Sequence, residues 1–78
     1  MFNKIDIKEH MEVLGSDGQH VGTVDYLEGS SDIKLTKSDP QSGGQHHLIP
    51  LAWVDHVDQH VHLSRLSKDV QTQWRTAA

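Results

Sequence analysis

Cysteine is absent from this sequence of 78 residues, and aromatic residues and proline are scarce. Without cysteine the chain has no disulfide framework, no thiolate metal site and no thiol nucleophile. The segment Met1–Met11 contains no apolar run long enough for a signal peptide or a membrane span, so a cytoplasmic location is expected. A domain this small without disulfides depends on a single apolar core.

Clusters of lysine and arginine are also missing. Seven basic residues stand against eleven acidic ones, and the formal net charge is −4 with neutral histidines. Neutralisation of phosphates supplies most of the affinity of proteins for nucleic acids. Neither nucleic acid nor a membrane is therefore expected as a partner.

The first third of the chain predicts a β-hairpin. Strands over residues 11–16 and 19–28 flank Asp17 and Gly18, a dipeptide that supplies the positive φ angles of a tight turn. These two residues are therefore assigned a structural role.

Gly22 lies where the alternation of the second strand breaks. Val21 and Val24 stand three positions apart, so a regular strand would direct them to opposite faces. A glycine at such a break indicates a bulge that bends a small sheet. Both valines are then expected to face inward, and Gly22 is a third structural residue.

Four further strands and a terminal helix complete the predicted single domain of residues 1–78. The strands are predicted over residues 33–37, 46–49, 53–57 and 60–63, and the polar loop over residues 38–45 is expected to be mobile. The helix covers residues 67–75, with Ser67 as its N-cap and an apolar stripe of Leu66, Val70 and Trp74. Residues 1–10 are predicted to form a leader turn, and residues 11–64 are predicted to form the barrel.

Two stretches of the chain resemble PRC-barrel domains. The sequence MEVLGSDGQHVGTV over residues 11–24 is similar to the first hairpin of that fold, and IPLAWV over residues 49–54, with its structural Pro50, is similar to the closing strands. From Ile5 to Trp74 the chain most resembles a bacterial family of short stand-alone proteins of unknown function in that superfamily. The resemblance implies an all-β, PRC-barrel-like small barrel of about six strands with a C-terminal α-helix. It also implies a docking module, because related barrels in the photosynthetic reaction centre H subunit and in a ribosome maturation factor have that role.

Seven histidines are the strongest compositional bias, and His56, His60 and His62 stand close together. Two imidazoles on one face of a strand offer half of a zinc or nickel site. The remaining ligand has to be brought close by folding, from Asp55, Asp58, His46 or His47. We prefer a second interpretation, in which these histidines are solvent-facing strand residues. No metal or cofactor is therefore predicted.

A catalytic site is not predicted. Serine, histidine and aspartate are abundant, but no serine has the context of a nucleophile on a strained turn beside an oriented base. A barrel this small fills its interior with side chains, which leaves little room for a substrate pocket. The chain is therefore expected not to be an enzyme.

Protein contact is the favoured function. Trp53, Val70 and Trp74 are the candidate contact residues, with core packing as the alternative for both tryptophans. Small cores often gain stability from a partner subunit, so a homodimer is expected. The hypothesis is a non-enzymatic protein-interaction or self-association module. The alternative function is a histidine-based metal-binding or pH-responsive protein.

Overall fold

Seven strands, one α-helix and three short 3-10 helices make up the part of the chain that the computed structural model describes, residues 3–77. Met1, Phe2 and Ala78, which the predicted domain includes, lie outside these residues. The strands are β1 (Glu12–Leu14), β2 (His20–Glu28), β3 (Asp32–Leu35), β4 (His46–Pro50), β5 (Val54–Val57), β6 (Val61–Leu63) and β7 (Arg75–Ala77). The α-helix is α1 (Ser67–Gln73), and the 3-10 helices are Lys4–Asp6, Pro40–Ser42 and Leu51–Trp53.

The strands form one sheet in the order β5-β6-β1-β2-β3-β4-β7. Neighbouring strands are antiparallel except β1 and β6, which run parallel. Among the described residues β5 and β7 do not pair, so the sheet is open and has two edges. The prediction of a strand-rich fold with one C-terminal helix is confirmed, and all six predicted strands are present with shifted ends. The closed barrel is not seen.

Strand β2 bends at a bulge beside Gly22, as predicted. Val13 pairs with Gly22 and Leu14 pairs with His20, which leaves Val21 as the extra residue of β2. Such an extra residue bends the strand and increases its twist.

A second bulge follows on the same strand. Val24 pairs with Leu35 and Tyr26 pairs with Lys34, which leaves Asp25 as the extra residue. Between the two bulges β2 passes from its pairing with β1 to its pairing with β3. The two halves of the sheet therefore share one bent strand.

The core is built from aliphatic side chains of both halves. Val21 and Val24 are 0% and 1% exposed, which confirms that both face inward despite their spacing. The described core residues are Ile7, Val13, Val21, Val24, Ile33, Leu35, Ile49, Val54, Val61, Leu63 and Val70.

Gly22 is required for the close approach of a neighbouring strand. A Cβ atom on this residue would lie 3.2 Å from Cδ1 of Leu35 and in contact with the rest of that side chain. We expect Gly22→Val to lower the free energy of unfolding by about 1–3 kcal/mol, because the added methyl groups overpack the core. Gly22→Ala should cost less, since the flexible end of Leu35 can shift. Urea unfolding measures both changes, and a Gly22→Val protein that unfolds like the parent would contradict the assigned packing.

The helix begins at a cap that comes from the other end of the chain. Ser67 is the first helical residue and not the N-cap as predicted, and the N-cap Leu66 has no side-chain hydrogen bond and is 42% exposed. The backbone N–H and the hydroxyl of Ser67 both donate to the carboxylate of Asp17, at 3.3 and 2.9 Å. Desolvation opposes the charge of Asp17, but hydrogen bonds from the Ser67 hydroxyl and from the N–H groups of Gln19 and Ser67 together outweigh it and lower the pKa of Asp17.

The helix also ends earlier than predicted. Trp74 is extended, and residues 75–77 pair with β4 as a seventh strand. Arg75 reaches Asp32 in a salt bridge of 2.8 Å. No helix in residues 3–77 has both the length and the apolar character that crossing a membrane requires.

The remaining structural assignments mark chain turns. Of Asp17 and Gly18 only Gly18 takes a positive φ, 77°, so the turn needs the glycine alone for that purpose. Pro50 ends β4 and is the N-cap of the 3-10 helix Leu51–Trp53.

The polar loop over residues 38–45 contains local structure that the sequence did not indicate, and its expected mobility stays a prediction. The carboxylate of Asp39 accepts the N–H of Gln41 and caps the 3-10 helix Pro40–Ser42. Asp39 and Ser42 are 7% and 6% exposed, and the Ser42 hydroxyl donates to the Lys37 carbonyl at 2.7 Å. Local capping and burial stabilise this local structure.

Candidate functional site

The hairpin of β5 and β6 places two histidines side by side. His56 and His62 are cross-strand partners, so their side chains leave the same face of the sheet. The rings stack with centroids 4.2 Å apart and an angle of 9° between their planes. The register of the two strands thus brings two ring faces into direct contact.

The turn between these strands adds a carboxylate. One oxygen of Asp58 accepts the backbone N–H of His60 at 2.8 Å and lies 2.9 Å from Nε2 of His62. These two hydrogen bonds, the backbone one first, hold the pKa of Asp58 below its ordinary value. Asp58 is therefore an anion beside the two rings.

Together these three residues form a histidine-aspartate cluster, which we define as His56, Asp58 and His62. Each offers one potential ligand atom, and these atoms lie within 4.8 Å of one another. The chemistry open to this set is the binding of a cation by two nitrogens and one oxygen.

The third histidine named from the sequence does not belong to the cluster. Nδ1 of His60 lies 3.4 Å from Oε1 of Glu12, without the alignment of a hydrogen bond. Of the four possible additional ligands, Asp58 joins the cluster. Asp55 instead accepts from Nδ1 of His56 at 2.7 Å. The other two, His46 and His47, lie on β4 outside the cluster.

A cleft opens beside the cluster. It has a volume of about 400 Å³ and runs between the β1–β2 turn and the ends of β5 and β6. Its lining includes both histidines of the cluster, His56 and His62, together with Asp55, Ser16 and Ser64. A ligand held by the two imidazoles would thus have space on one side, which the sequence did not suggest.

A second polar cluster, which sequence analysis missed, is centred on His20. Nδ1 of this ring lies 2.8 Å from Oε2 of Glu12, and Nε2 lies 2.7 Å from Oδ2 of Asp39. An ionised carboxylate only accepts hydrogen bonds, so both ring nitrogens must carry protons to satisfy both contacts. The hydroxyl of Thr23 donates to the same oxygen of Asp39 at 2.6 Å. His20 is thus an imidazolium that joins β1, β2 and the folded loop.

The electrostatics of this cluster agree with that protonation state. Partial burial disfavours the charge on His20, but hydrogen bonds to Glu12 and Asp39 outweigh it and raise the pKa of His20 above 6.5. Burial likewise opposes the charge on Asp39, and donors from Thr23, Gln41 and His20 outweigh it and lower that pKa below 3.8.

The three candidate contact residues are mostly engaged within the chain. Val70 is 0% exposed, so in this fold it belongs to the core and cannot touch a partner. Trp74 packs against the core and stacks on His47, with ring centroids 3.9 Å apart. Trp53 also packs against the core, and the guanidinium of Arg65 covers its ring at 4.6 Å.

Comparison with known proteins identifies one family. The sequence profile described as "Uncharacterized protein conserved in bacteria (DUF2171)" matches residues 7–71, which is most of the chain. No curated protein matches the chain significantly. The chain belongs to this bacterial family of uncharacterised proteins.

Proposed function

We propose that this protein is a non-enzymatic interaction module that self-associates through the free edge of β5. The observation that carries the proposal is the self-complementary sequence of that edge. Val54 and Val57 pair with the buried residues Leu63 and Val61, so they face the core, whereas Asp55 and His56 face solvent.

A two-fold antiparallel contact between two copies would place matching residues opposite each other. Val54 would face Val57 of the second copy, and Asp55 would face His56 of the second copy. Apolar pairs and carboxylate–imidazole pairs across two strands both stabilise a sheet. The same patch would serve both copies, as in the isologous contacts of most homodimers.

Two features of β5 restrict this contact to a closed pair. The strand has only four residues, and its register shifts at Asp55. Bulges and charged side chains on an edge strand oppose indefinite edge-to-edge addition. We therefore propose that the contact forms a dimer and not a fibre.

Sedimentation equilibrium over a wide concentration range tests the proposal. We expect the parent to dimerise at micromolar concentrations, and we expect Asp55→Lys to weaken the dimer by at least about tenfold, because a lysine would then face an imidazole. Glu9→Lys makes the same charge change at a side chain that is 69% exposed and far along the sequence from β5, and it should leave the dimer intact.

Two results would contradict this assignment. A parent protein that remains monomeric at high micromolar concentration would remove self-association. If both lysine variants weakened the dimer equally, the change in net charge alone would explain the effect, and the contact would lie elsewhere.

We propose that the bent sheet is an open form of the PRC-barrel-like architecture, with its two halves joined at β2. The shared, doubly bulged strand and the core between the halves support it. The cytoplasmic location predicted from the sequence stays a prediction.

The alternative function, a response to pH, has a specific observation in its favour. His20 holds two carboxylates from different segments, Glu12 and Asp39, only while its ring is doubly protonated. The test is a comparison of the melting temperatures of the parent and of His20→Gln as the pH is raised.

A further inference from the structure

We infer that the histidine-aspartate cluster of His56, Asp58 and His62 is a binding site for a late first-row divalent cation, with Zn²⁺ as the reference ion. All three ligands come from one chain, so the site does not require the self-association proposed above, although His56 also lies on the edge strand used there. The cluster also differs from the site suggested by the sequence, which used His60.

The ligand set determines the class of cation. Two imidazole nitrogens and one carboxylate oxygen suit zinc, nickel and copper, whereas magnesium and calcium prefer sites made of oxygen. Around a tetrahedral zinc ion with bonds of about 2.0–2.2 Å, ligand atoms stand about 3.3 Å apart. The three atoms here lie within 4.8 Å, so rotation of partly exposed side chains suffices to bring them together.

The surroundings of the cluster have the features of a supported metal site. Nδ1 of His56 is bound by the carboxylate of Asp55 at 2.7 Å, which orients the ring and leaves Nε2 free for a metal. Histidine ligands usually donate their second ring N–H to a carboxylate, a backbone carbonyl or water, and this hydrogen bond raises their basicity. The backbone N–H of His60 orients Asp58 in the same way, at 2.8 Å.

The cleft supplies the fourth coordination position. His56 and His62 both line it, so an ion held by them would have an open side toward a volume of about 400 Å³. Three protein ligands with one open position distinguish sites that bind water or a small ligand from closed structural sites.

Zinc binding to the intact chain provides the test. Isothermal titration calorimetry should give one Zn²⁺ per chain, and saturating zinc should raise the melting temperature by at least about 4 °C. Magnesium at the same concentration should do neither. His56→Ala, His62→Ala and Asp58→Asn should each weaken zinc binding by at least about tenfold, a loss that even outer-shell substitutions reach at metal sites. Asp58→Asn retains an oxygen that can accept the His60 N–H, so it removes the anion without removing the turn.

Two further variants separate this site from general binding of zinc by histidines. His10→Ala removes a ring whose side chain is 86% exposed, and His60→Ala removes the sequence-predicted ligand; both should bind zinc like the parent. The proposal is overturned if His60→Ala weakens binding as much as His62→Ala does. It is also overturned by half a zinc per chain with zinc-dependent dimerisation, which would mean a site shared by two copies.

Discussion

Asp39→Ala is expected to lower the free energy of unfolding by about 3 kcal/mol, among the largest effects of any polar substitution in this chain. The Asp39 side chain is 3% exposed and accepts hydrogen bonds from Thr23, Gln41 and His20. Its removal leaves the imidazolium of His20 without one partner and the 3-10 helix without its cap. Chemical denaturation measures the change.

Asp25→Ala is the matched control for that substitution. The Asp25 side chain is 32% exposed and lies 3.8 Å from the nearest nitrogen of His46, a partly exposed and long contact that we expect to contribute about 0–1 kcal/mol. Equal losses in the two variants would show that Asp39 does not organise the loop.

The same cluster predicts how stability depends on pH. The folded pKa of His20 is raised, so its contribution is complete below its ordinary pKa of 6.5 and is lost as pH rises through the folded value. The folded pKa of Asp39 is lowered, so its contribution is complete above its ordinary pKa of 3.8 and is lost as pH falls through the folded value. The two contributions are complete together only between 3.8 and 6.5.

Melting temperatures of the parent and of His20→Gln, measured from about pH 3 to about pH 9, test this dependence. The difference between the two proteins should be largest in mild acid and should shrink above neutral pH. The charged groups facing His20 are Glu12 and Asp39, and Glu12 in turn lies near His60. His10→Gln should follow the parent at every pH, and a constant difference between the parent and His20→Gln would contradict the assigned imidazolium.

Gly15→Ala is expected to destabilise the protein by about 2–3 kcal/mol, at the upper end of the usual cost of overpacking. A Cβ atom on Gly15 would lie 2.6 Å from the backbone nitrogen of Ser67 and 2.9 Å from its Cα. Backbone atoms cannot rotate away as a side chain does, so the start of the helix would have to move.

Gly22→Ala provides the comparison for this prediction. It makes the same chemical change at a second buried glycine, where the nearest atom is the movable end of Leu35 at 3.2 Å. Urea unfolding of both variants should show a clearly larger loss for Gly15→Ala. Equal losses would mean that the helix does not rest on the hairpin as described.

Local pattern predicted the parts of this fold whose causes are local. The break in alternation at Gly22 was sufficient to predict a bulge and two inward valines, because both depend on neighbouring residues. The apolar stripe of the helix likewise predicted a helix, but it led to Val70 being named as a contact residue, whereas Val70 lies in the core. The polar composition of the eight residues 38–45, however, gave no sign of the 3-10 helix or of the burial of Asp39, because two partners of Asp39, His20 and Thr23, lie on another strand.

The candidate site depended on contacts that no local pattern contains. The pairing of His56 with His62 follows from the register of β5 on β6, which a shift of one residue would change completely. The spacing His-x-His instead drew attention to His60. Asp17 and Ser67 are fifty positions apart in the sequence. The helical pattern therefore indicated Ser67 as the N-cap, whereas the carboxylate of Asp17 accepts the hydrogen bonds at the start of the helix.

The parallel pairing of β1 with β6 has a consequence for how the chain acquires its structure. Val13 and Leu14 pair with Val61 and His62, so the first strand gains its second neighbour only from the last third of the chain. Long-range pairing of this kind slows folding, because the chain loses the entropy of loop closure before the stabilising contacts form. During synthesis one edge of β1 therefore stays unpaired until β6 has left the ribosome. Aggregation competes most strongly with folding during this interval.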